Sequence, residues 1–168
     1  MSEPSIDPSL SKRALPRRLA LAACALLLFF GGLGAFPLLE PDEGRYAEIP
    51  REMLARHELV TPRLNGVLYF EKPPLYYWLN AAALSVLERP ETACRLASAF
   101  FGLAGVGLAW LLGLSMGRGS RRTALRSALV LGTSLLWLAL SRANIIDMTL
   151  TFFLSATLAC FWLAQERE

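Results

Sequence analysis

The sequence predicts an all-α membrane protein with four transmembrane helices and two further helices that lie in the membrane interface. Of its 168 residues 54% are apolar, and the mean hydropathy is positive, at +0.41. Several runs are apolar on every side, which distinguishes membrane spans from the one-sided helices of soluble proteins. One long polar passage, residues 39–78, interrupts these runs. The net charge of +3 is small, and no basic stripe with interleaved aromatic residues indicates nucleic acid as a partner.

Residues 1–18 are predicted to form a basic cytoplasmic tail. Four Lys and Arg residues lie between positions 12 and 18, directly before the first apolar run, as the positive-inside rule expects of a cytoplasmic segment. That run, residues 19–39, is about 20 residues long, which suits a full span better than the apolar core of a signal peptide. No A-x-A cleavage pattern follows it. We therefore expect a retained first transmembrane helix over residues 19–39.

The polar passage is predicted to form much of an outer loop over residues 40–95. Between residues 43 and 56 apolar side chains recur at helical spacing, which predicts an amphipathic helix in the membrane interface. Asp42 is placed to be the N-cap of this helix, and Pro50 is expected to kink it. Residues 75–87 form a second apolar run of about 13 residues, which is short for a span.

The other apolar runs predict transmembrane helices over residues 96–116, 124–140 and 148–164. An arginine-rich segment, residues 117–122, separates the first two of these runs. If residues 75–87 crossed the membrane, this basic segment would lie outside the cytoplasm. The positive-inside rule therefore makes residues 75–87 a second interfacial helix. The resulting topology places a short loop near residues 141–147 on the same outer face as residues 40–95.

Acidic residues flank the predicted spans on this outer face. Asp42-Glu43 directly follows the first apolar run, and Asp147 lies at the start of the last one. One interpretation is structural: an N-cap, or an acid in the first turn that complements the helix dipole. The other is chemical: a general base or a metal-binding carboxylate at the membrane surface. The residues by themselves leave both interpretations open, although an acid beside a span indicates function by default.

Glu71-Lys72 precedes a pair of prolines at the entrance to the second interfacial helix. The prolines favour an extended entry that would hold the Lys72 ammonium at the depth of the lipid headgroups. Lys72 either extends to lipid phosphates or forms a dedicated phosphate site with Arg45 as a second cation. His57 is interpreted as a surface residue. The neighbouring aromatic residues are expected to form an interfacial belt: Tyr69, Phe70, Tyr76, Tyr77 and Trp78.

A series of motifs makes the chain recognisable from residue 19 onward. PDEGRYAEI, VTPRLNG, YFEKPPLYYW, ETACRLASAFFG and SRANIIDMTLTFF follow one another in this order. Together they resemble the N-terminal part of a bacterial GT-C glycosyltransferase, and more narrowly the aminoarabinose transferase and protein-mannosyltransferase-like family. The resemblance implies a partial GT-C fold over residues 19–168. It also implies a polyprenyl-phosphate sugar donor, used at the periplasmic face of the bacterial inner membrane.

Residue roles follow from this resemblance position by position. Asp42 corresponds to the first-loop catalytic acid, which deprotonates or orients the acceptor oxygen, and Asp147 to the second-loop acid. Lys72 would bind the carrier phosphate and stabilise the charge that develops as it leaves. The implied reaction is a single displacement that inverts the anomeric carbon, and it needs no nucleotide.

The resemblance also implies further contacts and partners. Glu71 would ligate a divalent metal ion, and Arg45, Tyr46 and Glu43 would line the substrate and phosphate pocket. The acceptor would be a lipid A-like glycan or a protein, with membrane lipids as further partners. Because the enzymes of the family are several times longer, we expect the chain to correspond to a part that has no activity alone. A different class of function stays open as the alternative: a small non-catalytic membrane protein that binds lipid headgroups or a partner.

Overall fold

The computed structural model describes residues 8–166, so the first seven residues of the predicted basic tail lie outside the described residues. The described chain is almost entirely helical and contains one short hairpin. Its elements are α1 Pro8–Phe30, α2 Asp42–Arg56, β1 Arg63–Leu64, β2 Val67–Leu68, α3 Leu75–Val86, α4 Pro90–Met116, α5 Arg121–Gly132, α6 Leu135–Ser141 and α7 Ile146–Gln165. The predicted all-α class is confirmed.

The first helix differs from the predicted span over residues 19–39. It begins at Pro8, inside the predicted tail, and ends at Phe30. Its apolar part, Leu19–Phe30, covers only about 18 Å at the usual rise per residue. The prediction that the span continues to residue 39 was wrong because two glycines end the helix, one of them, Gly32, with a φ of +70°. Hydropathy does not register this break, since the following residues are still apolar.

The first interfacial helix was predicted closely, but its N-cap was not. Asp42 is the first helical residue of α2, and the cap position before it is occupied by Pro41 without a side-chain hydrogen bond. Asp147 likewise lies in the first turn of α7, after Ile145 at the cap. The carboxylates of Asp42 and Asp147 are both exposed. Neither acid is used to cap its helix, so the N-cap interpretation is wrong for both.

Pro50 lies within α2, and the helix runs through it from Asp42 to Arg56. A proline has no N–H, so the carbonyl of Tyr46, four residues earlier, loses its helical partner. The side-chain amide of Asn80 on α3 donates to this carbonyl through Nδ2 at 3.3 Å. Pro50 therefore creates an acceptor that ties α2 to α3.

The aromatic and aliphatic faces of α2 and α3 form one core with the start of α7. The buried side chains of this core are Tyr46, Ile49, Met53, Tyr76, Tyr77 and Ile146. Tyr46 meets Tyr76 edge-on, with ring centroids 5.9 Å apart, and stacks on Tyr77 at 6.4 Å. Offset-stacked and edge-to-face arrangements are the favourable ones for aromatic pairs. The expected interfacial belt was therefore wrong for Tyr76 and Tyr77, which are internal.

The hairpin is fastened to α2 by an acidic side chain. Asn65 and Gly66 form its turn with φ values of +54° and +81°, which suits the two-residue connections that match strand twist. Glu52 of α2 accepts the Gly66 N–H with both carboxylate oxygens, at 3.1 and 3.2 Å. The hairpin is consequently packed onto α2 rather than extended into solvent.

Two helices, Pro90–Met116 and Ile146–Gln165, are long and apolar enough to cross a membrane. The helices α5 and α6 would make a third span if they act as one, but they meet at 65°. Thr133 and Ser134 break the helix within the predicted span over residues 124–140, and the crossing of the membrane by this bent pair stays a prediction. By length and composition residues 8–166 thus contain two or three spans, and the predicted four are not confirmed.

Polar contacts show which helix ends lie together. Near the end of α4, Ser115 donates a hydrogen bond to Glu166, just after α7. At the start of α4, Ser98 donates to the carbonyl of Ile145, just before α7. The two long helices therefore run parallel to each other. Residues 95–98 and 144–147 share one end of the bundle, which is also the end that packs on α2 and α3.

Close packing along α4 depends on glycine. Trp137 of α6 donates from Nε1 to the Gly102 carbonyl at 3.0 Å, and its ring covers the α carbon of Gly105. A methyl group at Gly105 would overlap that ring, whereas the space around Gly107 is open to beyond 4 Å. Small residues commonly allow membrane helices to approach in this way.

We expect Gly105→Ala and Gly107→Ala to have opposite effects on thermal stability. Overpacking against Trp137 should destabilise the first variant by about 1–3 kcal/mol. The second should be neutral or more stable by up to about 1 kcal/mol, because alanine favours a helix over glycine. Thermal unfolding of the two variants in the same detergent measures the difference, and equal midpoints would contradict the packing of α6 on α4.

Candidate functional site

A buried ion pair lies at the centre of the polar end of the bundle. Glu43 and Arg95 are only 3% and 6% exposed. Arg95 donates from Nε to Glu43 Oε1 at 2.8 Å and from Nη2 to Oε2 at 2.7 Å. This two-bond arrangement is the strong geometry for guanidinium and carboxylate. It joins α2 to α4 through two residues that are 52 positions apart along the chain.

The remaining N–H groups of Arg95 hold the segment that follows α1. Nη1 donates to the carbonyls of Leu33 and Phe36 at 2.7 and 2.9 Å, and Nη2 donates to that of Pro37 at 2.9 Å. A guanidinium has five N–H donors, and all five are used here. Arg95 thus satisfies three backbone carbonyls of the non-helical segment that follows α1.

Glu43 is as fully bonded as its partner. Besides Arg95, its carboxylate accepts the backbone N–H of Leu39 at 2.8 Å and that of Asn144 at 2.7 Å. Burial by itself raises the pKa of Glu43, but the bonds from Arg95, Leu39 and Asn144, with the charge of Arg95, bring that pKa below its ordinary value. Glu43 is therefore ionised and internal.

Asn144 extends the network to α3. Its Nδ2 donates to the carbonyl of Glu43 at 2.8 Å, and its Oδ1 accepts from Tyr76 Oη and Asn80 Nδ2, each at 2.8 Å. The Tyr76 hydroxyl also lies 3.1 Å from Ser98 Oγ on α4. Buried polar networks of this kind rigidify a site when their members are paired.

The two predicted catalytic acids project from this network. Asp42 directly precedes Glu43, and Asp147 follows Asn144 by three residues. Both act on the hydroxyl of Tyr46: burial raises the pKa of Tyr46 first, then Tyr69, Asp147 and Asp42 raise it further, and Arg45 opposes them. The hydrogen bonds between Glu43 and Asn144 bring the segments of Asp42 and Asp147 together, although the two acids are more than a hundred residues apart in sequence.

Two other predicted site residues, Arg45 and Glu71, lie beside Asp42 and Tyr69 respectively. Arg45 Nη2 lies 3.8 Å from Asp42 Oδ1, and Arg45 also lines an open groove of about 380 Å³ between the start of α2 and the hairpin turn. Tyr69 donates to Glu71 Oε2 at 2.9 Å. This arrangement offers exposed carboxylates, a cation and phenol hydroxyls on one surface, a set suited to orienting a hydroxyl nucleophile and a phosphate.

Lys72 and Glu71 are both exposed at the entrance to α3. Across residues 8–166 no group of three or more His, Cys, Asp or Glu side chains could hold a metal ion. A metal-ligating role for Glu71 and a phosphate-binding role for Lys72 both stay predictions.

Sequence reasoning missed the residues that build the site from within. Arg95 and Asn144 lie beside apolar runs, and a charged residue that close to a span could have been taken as a signal of function. The rule that marked Asp147 as a functional candidate, a charge beside a span, also marks Arg95. Nothing local predicted that Glu43, rather than Asp42, would pair with it.

A family model of dolichyl-phosphate-mannose-protein mannosyltransferase matches residues 15–168. This match covers nearly the whole chain. The chain belongs to this family. The predicted resemblance is thereby confirmed, and the apolar helices agree with an integral membrane member of this group of glycosyltransferases.

Curated relatives within the family carry a narrower description. The undecaprenyl phosphate-alpha-4-amino-4-deoxy-L-arabinose arabinosyl transferases of Yersinia enterocolitica and Pectobacterium carotovorum are each 36% identical to the chain. The alignments cover 87% of the chain and 27% of each relative. The chain thus spans about a quarter of the length of the relatives that it matches.

Solved structures give the same result for the fold. ArnT from Cupriavidus metallidurans bound to undecaprenyl phosphate matches 87% of the chain with a TM-score of 0.80 and 37% identity. The apo state of the same protein matches 88% with a TM-score of 0.82. In both cases the match covers 27% of the ArnT chain. The described helices therefore adopt the arrangement of the corresponding part of this transferase.

We expect Glu43→Gln to lower stability strongly, because it leaves the buried charge of Arg95 without a counterion. Removal of one partner of a buried ion pair costs about 3–5 kcal/mol. The exposed residue Glu88 provides the control variant Glu88→Gln. Thermal unfolding in detergent should separate the two variants clearly, and a Glu43→Gln protein as stable as Glu88→Gln would contradict the central role of the pair.

The same variant should change the response of stability to acid. The pKa of Glu43 is lower in the folded chain than its ordinary 4.5. Its contribution is therefore fully present above the unfolded pKa and is lost as the pH falls through the folded value. Wild type should lose more stability than Glu43→Gln when the pH is lowered from 6 to below the ordinary pKa.

Proposed function

We propose that the chain forms the N-terminal part of a membrane glycosyltransferase that moves a sugar from a polyprenyl-phosphate donor to an acceptor in the cell envelope. The observation that carries the proposal is the pair of hydrogen bonds between Glu43 and Asn144, which brings the chain segments of Asp42 and Asp147 together. Membership of the mannosyltransferase family supports it. Because the chain covers 27% of its relatives, the donor and acceptor sites are proposed to need residues of the longer enzyme.

The proposed reaction is one displacement at the anomeric carbon. The acceptor oxygen attacks that carbon from the side opposite the carrier phosphate, a new glycosidic C–O bond forms, and the bond to the phosphate oxygen breaks. Asp42 takes the proton of the acceptor, and the electron pair leaves with the polyprenyl phosphate. A positioned general base of this type contributes about 10²–10⁴-fold to a rate. Asp147 orients the acceptor or the sugar.

Cations are proposed to stabilise the departing phosphate. Lys72 is exposed at the start of α3, and Arg45 lies beside Asp42. Ammonium and guanidinium groups aimed at a developing phosphate charge act most strongly where water is excluded. We propose that the donor is undecaprenyl phosphate-α-4-amino-4-deoxy-L-arabinose, as the names of the relatives suggest, and that a lipid A-like glycan or a protein accepts the sugar.

The proposed topology places this chemistry at the periplasmic face of the bacterial inner membrane. In it α1, α4, the bent pair α5–α6, and α7 cross the bilayer, while α2 and α3 lie in the outer interface. The long helix α1 would cross with its basic N-terminal part in the cytoplasmic headgroup region, as the positive-inside rule favours. The arginine-rich segment, residues 117–122, then faces the cytoplasm.

We expect Asp42→Asn and Asp147→Asn each to reduce sugar transfer at least about a hundredfold, since each removes a carboxylate from the reacting centre. The assay uses the intact protein that carries this chain, reconstituted with the aminoarabinose donor and lipid A, and detects product by mass spectrometry. Glu88→Gln is the control, because it removes an exposed carboxylate elsewhere on the outer loop. Wild-type transfer by both aspartate variants would reject the enzyme and favour a non-catalytic protein that binds headgroups.

Cysteine labelling tests the proposed topology. In a variant lacking Cys24, Cys94 and Cys160, a single cysteine at Glu88 should react with a membrane-impermeant maleimide added to cells with a permeable outer membrane. A single cysteine at Arg122, which is exposed in the arginine-rich segment, should react only after the inner membrane is opened. Equal labelling of both positions from outside would overturn the assignment of faces.

A further inference from the structure

Two acids that act together must be held at a fixed separation, but Asp42 and Asp147 belong to different helices. They do not share a hydrogen bond in the described part of the chain, and both are exposed. Their relative position must therefore be set by neighbouring residues. The direct connection between the two segments runs between Glu43 and Asn144.

This connection consists of two hydrogen bonds that Asn144 donates to Glu43. The backbone N–H of Asn144 donates to Glu43 Oε1 at 2.7 Å, and its side-chain Nδ2 donates to the carbonyl of Glu43 at 2.8 Å. One bond uses the side chain of Glu43 and the other its backbone. The peptide that follows Asp42 is thus fixed directly to the loop that leads to Asp147.

The other half of the Asn144 amide is fixed from α3. Its Oδ1 accepts from Tyr76 and Asn80, so the carboxamide cannot rotate without breaking three bonds. Only a side chain with both a donor and an acceptor on one planar group meets these demands. An aspartate of the same shape would turn an oxygen toward the carbonyl of Glu43.

Burial separates this role from direct catalysis. Asn144 is 0% exposed, and both its side-chain nitrogen and oxygen are bonded to protein groups. Because the side chain is fully buried, it cannot contact a sugar, a phosphate or an acceptor. Its effect on a reaction must pass through the acids on either side of the connection.

We propose that Asn144 is a positioning residue that fixes the separation of Asp42 and Asp147, and this inference rests on the proposed function. The residue links the turn before α7 to the start of α2 and is itself held by α3. Misplacement of a catalytic group by about 1 Å can cost about 10²-fold in rate. The amide thus contributes to the chemical step without contacting the reactants.

Steady-state kinetics of the intact protein test the proposal. Asn144→Ala should lower kcat about 10- to 100-fold and change KM for the undecaprenyl-phosphate donor less than twofold. Asn144→Asp, which keeps the acceptor but loses the donor to Glu43, should be equally impaired. A kcat within twofold of wild type for either variant, or a loss confined to KM, would overturn the role.

A buried neighbour controls for loss of stability alone. Ser141 is also 0% exposed, lies three residues earlier, and bonds only to the Trp137 carbonyl of its own helix. Ser141→Ala should lower the melting temperature while leaving kcat unchanged. If Asn144→Ala does not fold, Asn144→Ser provides the same kinetic comparison. Both variants keep the backbone N–H that bonds to Glu43, and serine also keeps a polar side chain. Equal kcat losses at matched melting temperatures for positions 141 and 144 would assign Asn144 a general structural role and reject the proposal.

A double-mutant cycle completes the test. If Asn144 acts through the acids, Asn144→Ala should reduce the residual rate of Asp147→Asn by less than twofold. A full further loss of 10-fold or more in that background would show an independent effect and reject the positioning role. Wild-type transfer by Asp147→Asn itself would instead reject the proposed function, so the two failures are distinguishable.

Discussion

The ion pair between Glu43 and Arg95 determines how the polar end of the molecule is assembled. Arg95 bonds to the segment after α1 and to α2, while Glu43 bonds to α2's own entry and to the loop before α7. An ionised pair this deeply buried is costly to desolvate, and its attraction compensates only when the surrounding groups satisfy its remaining donors and acceptors. Here they do. The requirement to satisfy them makes four distant segments converge on one point.

This convergence requires the desolvation of two charged groups, which an apolar core would not require. In return, it fixes a specific geometry. Well-packed hydrophobic residues often match a buried ion pair in stability. Hydrogen bonds, however, are directional, and a fully paired network admits few alternative arrangements. The acids next to Glu43 and Asn144 remain exposed while their backbones are held internally. Rigid support beneath exposed carboxylates is the arrangement expected of a site that must orient reactants.

The surroundings of the site agree with chemistry at a membrane surface. Asp147 lies in the first turn of the apolar helix α7, and Asp42 lies at the start of α2, whose Glu43 bonds to the loop before α7. Arg45 and Lys72 supply positive charge on the same loop. Members of the family matched over residues 15–168 are mannosyltransferases that use a lipid phosphate, and the aminoarabinose transferases share its N-terminal architecture. The chain represents the portion in which the start of α2 meets the loop before α7.

Composition, apolar periodicity and motif order were enough to predict a helical membrane protein, the helices α2 and α3, and membership of the glycosyltransferase family. These features are local or additive, so they can be read from neighbouring residues. Helix ends were predicted less well, since Gly32 ends α1 and Ser134 interrupts the α5–α6 pair while hydropathy continues past both. The partners of Glu43 could not be predicted at all. A carboxylate bonds to Arg95 and Asn144 only because tertiary packing brings them within 3 Å, and the spacing between residues 43, 95 and 144 carries no trace of that contact.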